Sequence, residues 1–478
     1  MLEDERTDLT PYVDLVLRGG KVLALDSNDS RASALAVAGG RIVAIGDDHT
    51  IRPLIGNQTK IIELAGRTVL PGINDSHLHG AWLGASWPTL MLDKLPTAPP
   101  GVGDDLGGDP ARTPPPTPRL LSVEEDRRAA IRRVGGLVAA LGITSYTEPG
   151  IGPGEDDGPT GCFSQSVFET YAALEAEGEL RARVNVLTLF GLVDGPSVLA
   201  DVEAGLRLLQ RRSRRPERLR IGGMKIFGDG IPPMLQAWTR QRYPDGSHGS
   251  LLVAGDDPDQ QASNLRRMIT AGHRAGLQVG VHATGDRTIE AVLDAVEQAM
   301  ATDPSRRRHY IIHGDLVTPE QLRRMAALGV GLNLQPAIAT RTADWVSGVL
   351  GSDVAASAWP IGLALEAGVA LALSSDAPIL TPDWRRVIAE ADAWMGKPTP
   401  GAATGRMTTL LQAYTVAAAY QDGSESWKGT LEPGKVADLC VLAADPYEVG
   451  PAGLPAVDVE LTVVGGKIIF ERDPAYAD

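Results

Sequence analysis

A chain of 478 residues with 43% hydrophobic content has the composition of an ordinary water-soluble protein. It exceeds what one hydrophobic core holds, since such cores stop growing near ~250–300 residues, so one large domain and a smaller companion are expected. A formal net charge of −15 argues against nucleic-acid binding, which needs a basic stripe. Two cysteines, Cys162 and Cys440, cannot build a disulfide framework. Residues 1–11 are charged and lack the apolar stretch of a secretory signal. No apolar run nears the ~20 residues of a membrane helix. The expectation is a cytoplasmic protein that takes a small molecule and has neither nucleic acid nor membrane as partner, with a homodimer as one option for its assembly.

In chain order, the first stretch reads as short strands. Leu15-Val16-Leu17 and Lys21-Val22-Leu23 flank a Gly-Gly turn, and 34–37 and 41–45 flank another. The C-terminus has the same character at 438–442 and around Gly465-Gly466. Two β-rich ends around a long middle predict a β-sandwich built from both termini (1–69 and 427–478), enclosing a catalytic domain over 70–426. The middle alternates strand and helix. Strands are expected at 68–73, 142–147, 183–190, 222–227, 277–282, 309–313, 329–334 and 369–374. Helix starts are marked by Asp257-Pro258 with Gln260, by Thr318-Pro319-Glu320-Gln321, and by Ser122-Val123-Glu124-Glu125 read as a capping box. Eight such units predict an α/β fold of the (β/α)8 TIM-barrel type. A doubly wound sheet would need a glycine-rich phosphate loop after its first strand, and none is present. Residues 95–118, rich in Pro, Gly and Asp, read as a loop.

The chemistry begins at Asp75-Ser76-His77-Leu78-His79. Residues two apart on a strand share a face, so His77 and His79 would point the same way and form half of a metal site. Alone, the pair could equally be solvated histidines. Other strand ends add to it. Lys225 lies near the end of the fourth inferred strand, His282 and His313 close the fifth and sixth, and Asp376 follows the eighth. A TIM barrel keeps its active site at that face. His49, His248, His273 and His309 sit at no inward strand end and read as surface or helix residues.

These motifs resemble the amidohydrolase superfamily over nearly the whole chain. Gly66-Arg67-Thr68-Val69-Leu70-Pro71-Gly72 leads into the D-x-H-x-H pattern, and Trp427 to Leu439 is similar to the family's return to its small β-sandwich. Met224-Lys225-Ile226-Phe227-Gly228-Asp229-Gly230, His282-Ala283-Thr284-Gly285-Asp286 and Ser375-Asp376-Ala377-Pro378 resemble the YtcJ-like, family-3 branch. The resemblance implies that His77 and His79 bind one divalent metal and His282 and His313 a second. Asp376 would bind metal and move protons, and Lys225 would bridge as a CO2-derived carbamate. The bland alternative for Lys225 is an ammonium paired with Asp229 or Asp376 beside a single metal. Zinc is the default ion, in one or two copies. The implied activity is hydrolysis of an amide or related C–N bond (N-acyl, formamide, lactam or carbamate) through metal-activated hydroxide. Deamination of a ring C–N bond and a non-catalytic metal-binding barrel are the rivals. The family usually carries a long covering insertion after the first strand, whereas the link from His79 to Ser122 is short. Trp82 and Trp87 on that link, and Met234 and Trp238 after the fourth strand, are candidate pocket walls suited to an apolar or aromatic amide.

Overall fold

The computed structural model describes residues 12–94, 119–209, 216–396 and 403–473. The proline-rich stretch 95–118 lies outside them. Eight parallel strands run in sequential order: Ile73–Asp75, Ile143–Ile151, Arg183–Leu189, Leu219–Phe227, Gln278–Ala283, Tyr310–His313, Gly331–Leu334 and Leu371–Leu373. They are called barrel strands 1 to 8 below. Helices cover them outside, so both faces are buried and the strands read as nearly continuous apolar runs. The fold is the expected (β/α)8 barrel. Leu187, Tyr310 and Ile312 fill its interior.

The helices begin where their caps dictate. The Asp257 side chain accepts from the Gln260 amide, and Pro258 opens a helix that runs to Arg274. Leu265, Met268, Ile269 and Gly272 are buried at the i, i+3, i+4, i+7 spacing of one helical face. Thr318 and Gln321 cap each other ahead of Pro319–Leu328. At Glu124–Ala140 the expected capping box is displaced by one residue. The cap is Val123, and the side chain reaching back to the Ser122 and Val123 amides is Asp126, not Glu125. Strands 2, 7 and 8 start later than expected. Gly142, Gly329 and Gly368 hold positive φ values of 74°, 69° and 76° as the preceding helices end.

The segment 68–73, read as one strand, is two. Thr68–Pro71 pairs with Leu439–Leu442 and Lys21–Leu23, while Ile73–Asp75 joins the barrel. The chain crosses over at Gly72, where a side chain is excluded because a Cβ would lie 2.2 Å from Thr144 Oγ1. Two sheets from the termini, of four and six strands, face each other across Leu17, Val22, Leu35, Val37, Val69, Leu439, Val441 and Val463. Alternation sends the other residues of the same strands toward the barrel. Cys440 and Leu442 join the barrel core, and Thr462 Oγ1 donates to Ala139 O at 2.7 Å. Arg183 at the base of strand 3 pairs with Asp438 through two bonds of 2.6 and 2.9 Å.

His273 and His309 were expected at the surface or on helices. Both are buried, and His273 does lie on a helix. Their proton order follows from their partners. The Val279 amide donates to His309 Nδ1 at 3.0 Å, so His309 carries its proton on Nε2 and donates to His273 Nδ1 at 2.8 Å. His273 Nε2 then donates to Asp303 O at 2.8 Å. Both rings are neutral clasps at the barrel base. His273→Ala leaves the Nε2–H of His309 buried without an acceptor and should cost about 1–3 kcal/mol in urea unfolding. Burial pushes His309 down to about 3, so the unfolded chain takes up a proton first as pH falls. The clasp's stability is therefore complete above pH ~6.5 and declines from there toward pH 3. A difference in unfolding free energy between His309→Leu and the parent that did not shrink across this window would contradict the assignment.

Candidate metal centre

Strands 1 and 8 are the two ends of the barrel sheet, and the residues that follow them join it into a ring. Asp75 Oδ1 accepts the backbone N–H of His77 and of Ser375, both at 3.2 Å. The Asp376 amide donates to His77 O, and the His79 amide to Ala377 O, both at 2.9 Å. Ser76 Oγ donates to Leu373 O at 3.0 Å. The D-x-H-x-H segment and the Ser375-Asp376-Ala377 segment are therefore one ladder, and each segment sets the height of the other.

That ladder brings His77, His79 and Asp376 together. Their ligand atoms lie within 4.8 Å of one another, and all three residues are buried. His77 Nε2 and His79 Nε2 stand 3.1 and 3.3 Å from Asp376 Oδ1. The His313 ring lies 5.5 Å from that of His77 and 4.4 Å from that of His282. Two residues of the group hold left-handed backbone, His313 at φ 74° and Asp376 at φ 54°. For side chains other than glycine this costs about 1–3 kcal/mol each and persists where the surroundings fix it. Burial pushes His77 down to about 3, His313 to about 4 and His282 well below the ordinary histidine range. The three imidazoles are thus neutral, the form that binds metal. Burial raises the Asp376 carboxyl, but His77, His79 and His313 outweigh it and hold the group well below the usual carboxylate range. His77 Nδ1, His79 Nδ1 and His282 Nε2 are buried without hydrogen-bond partners. A cluster of neutral imidazoles and one anionic carboxylate, with unmatched nitrogens among them, fits a divalent cation.

Lys225 is buried on strand 4, with its amine 4.7 Å from the centre of the Phe227 ring. Burial pushes its pKa down to about 8, against the charges of Asp376 and Asp194. Among the described residues no carboxylate stands at ion-pair distance from it. Asp229 is committed elsewhere. It accepts from the amides of Trp238, Thr284 and Gly285 and from Thr288 Oγ1, tying the loop after strand 4 to the turn after strand 5.

The supporting residues were not foreseen. His313 Nδ1 stands 2.8 Å from Gln335 Oε1, and the Gln335 amide nitrogen donates to Asn333 Oδ1 and Ser374 Oγ. Those acceptors aim the Gln335 oxygen at His313, so Nδ1 carries the proton and Nε2 is free. Asn333 Nδ2 in turn donates to Ser76 Oγ, which links this group to the strand 1–strand 8 join. Glu148, within strand 2, is fully buried with its Oε1 3.8 Å from His79 Nδ1. Of the expected walls, Trp82 lies at the site, with its ring 5.9 Å from that of His79. Phe163, from the loop after strand 2, completes that wall at 5.3 Å from His79 and 5.6 Å from Trp82. Trp87 and Met234 are exposed, and Trp238 is half-buried beneath the Arg287 guanidinium.

The model of the amidohydrolase family matches residues 117–470. The chain belongs to that family, whose members of this type are metal-dependent hydrolases. It is 25% identical to the YtcJ protein of Bacillus subtilis (strain 168), which carries an amidohydrolase name, over 96% of this chain and 99% of that one. It is 24% identical to the N-substituted formamide deformylase of Arthrobacter pascens, over 97% of this chain and 99% of the enzyme. An uncharacterised metal-dependent hydrolase from Pyrococcus furiosus shares the fold, with a TM-score of 0.69 at 22% identity over 91% of this chain and 99% of that one.

The strand 1–strand 8 join gives a direct expectation. Asp75→Ala strands two buried N–H groups and should cost about 2–5 kcal/mol. Amide exchange at Ser375 should speed up with it, while Asp75→Asn, which keeps an oxygen in place, should restore most of the protection. Unchanged exchange at Ser375 in the alanine variant would refute this role.

Proposed function

We propose that this chain hydrolyses an amide or related C–N bond, of the N-acyl, formamide, lactam or carbamate type, in a small apolar or aromatic substrate. The observation that carries this reading is the convergence of His77, His79, His282, His313 and Asp376 on one buried cluster, with Lys225 nearby on strand 4. The deformylase named among the relatives supports the bond type, and the Trp82–Phe163 wall beside His79 supports an apolar substrate.

The neutral histidines and Asp376 would hold the metal, with zinc the expected ion. When bound, such an ion polarises a carbonyl and lowers the pKa of water from about 15.7 to about 7, on the order of 12 kcal/mol toward hydroxide at neutral pH. The buried Lys225 amine can lose its proton near neutrality, which is the form that adds CO2, giving a carbamate and releasing one proton. That carbamate would supply two anionic oxygens where a plain lysine supplies a cation. Asp376 is anionic and touches both His77 and His79, so it can take a proton from attacking water and return it to the leaving nitrogen. The aromatic wall keeps bulk water from the reacting atoms.

Chelation should abolish turnover across a panel of formamides, N-acyl amines, lactams and carbamates, and zinc or manganese should restore it. Lys225→Ala should bind less metal, with partial recovery in the presence of short carboxylic acids. Turnover that survives complete metal removal, checked by elemental analysis, would overturn the reading. Release of ammonia from a ring substrate in place of amide cleavage would transfer it to deamination. Asp376→Asn keeps size and one oxygen but removes the base. It should retain most metal and lose roughly 10²–10⁴ in kcat. A loss below about tenfold at full metal content would assign the proton to another group.

A further inference from the structure

His79 has two ring nitrogens, and a metal can use only one that carries no proton. Nε2 faces Asp376 Oδ1 at 3.3 Å, on the side where the ligand atoms of His77 and Asp376 gather. Nδ1 faces the other way, toward Glu148. Both Nδ1 and Glu148 Oε1 are fully buried, 3.8 Å apart, and neither has a hydrogen-bond partner. Two unmatched buried polar atoms that face each other just beyond hydrogen-bond length are costly unless a proton lies between them.

The other oxygen of Glu148 is already committed. Oε2 accepts the Ala81 amide at 3.1 Å and the Tyr171 hydroxyl at 3.0 Å, and Tyr171 is bonded to the Tyr146 hydroxyl at 2.9 Å. The tyrosine pair is pressed against the chain just after His79. A Cβ at Gly80 would lie 2.8 Å from both hydroxyls. Every group on Oε2 is a donor, so the Glu148 side chain is fixed and only Oε1 is left to act. Gln335 does the same for His313, holding its Nδ1 from behind.

We propose that Glu148 is the positioning residue of His79. Its Oε1 takes the Nδ1–H of that imidazole and leaves the Nε2 lone pair free toward Asp376 and the metal. The inference rests on the metal-centre reading, because a bound cation claims the Nε2 lone pair, whereas without one the nearer acceptor for the ring proton is Asp376 Oδ1, 3.3 Å from Nε2. A carboxylate behind a ligating histidine fixes the tautomer and raises the basicity of the nitrogen in front, and losing such a partner commonly weakens metal binding ~10–100-fold.

The test exploits the fixed oxygen. In Glu148→Gln the amide oxygen must stay at the Oε2 position, where it receives two donors. The NH2 group then falls at the Oε1 position and donates to His79 Nδ1, which drives the ring proton to Nε2, the metal side. Glu148→Ala removes the partner without reversing it. Zn2+ affinity by chelator competition, with no substrate present, should therefore fall ~10–100-fold in the glutamine variant and by less in the alanine variant. A purely structural role predicts the opposite order, because glutamine fills the space and alanine does not. Imidazole 15N shifts of the Zn2+-loaded parent, assigned with His79→Gln, should show His79 protonated at Nδ1 and bound to the metal through Nε2. Equal or tighter zinc binding by the glutamine variant than by alanine, or a loaded parent in which His79 Nδ1 carries no proton, overturns the proposal. If the alanine variant does not fold, the tautomer of the loaded parent and the zinc affinity of Glu148→Gln against that of the parent decide. If the parent binds no Zn2+, the metal-hydrolase reading fails and this proposal with it, whereas a parent that binds Zn2+ and a glutamine variant that binds it as tightly overturn the role of Glu148 alone.

Discussion

A single carboxylate oxygen, Asp75 Oδ1, receives backbone N–H groups from both ends of the barrel sheet, and the site depends on that meeting. Strands 1 and 8 are only three residues each, too short to close a barrel through a long ladder of their own. Closure is made instead by the residues just beyond them, where His77, His79 and Asp376 stand. The hydrogen bonds that finish the fold are thus the ones that bring the three side chains of the candidate metal site together. Little room is left for the barrel to be closed and the cluster misplaced.

Electrostatics follows from the same closure. Deep burial keeps His77, His282 and His313 neutral, and the one strongly anionic group among them is Asp376. Burial has stripped these nitrogens of water, and a cation beside Asp376 would give the imidazole lone pairs on that side a partner. The left-handed backbone at His313 and Asp376 points the same way, since conformations of that cost are held in place by the surrounding structure.

The meeting of these side chains was legible in the sequence because residues at strand ends leave a positional signature. His77, His79, His282, His313 and Asp376 each follow an apolar run, and a parallel barrel carries all such ends to one face. What the sequence concealed has physical reasons. Glu148 lies beyond where strand 2 was expected to end, next to Pro149, a residue that argues against a central strand. The strand nonetheless continues to Ile151 through a register shift. Gln335 is an amide one residue past strand 7 and carries no ligand signal of its own. Its role appears only once Asn333 and Ser374 fix its orientation. The pairing of His273 with His309 joins residues 36 positions apart through proton order, which no local pattern encodes. Thr68–Pro71 and Ile73–Asp75 read as one strand because the break between them is a single glycine.

The sandwich strand Thr68–Pro71 lies between Lys21–Leu23 and Leu439–Leu442, and its nearer partners on the second side are 368 positions further along. At about 5–20 residues per second, a ribosome takes roughly 20–70 seconds to supply them. Throughout that interval the first-made strands have an open edge, and barrel strand 1 likewise waits for Ser375 before its ring can close. The emerging polypeptide therefore passes that whole interval with both of these parts unfinished. This exposes it to chaperones and to neighbouring nascent chains far longer than a protein whose N-terminal domain is complete in itself.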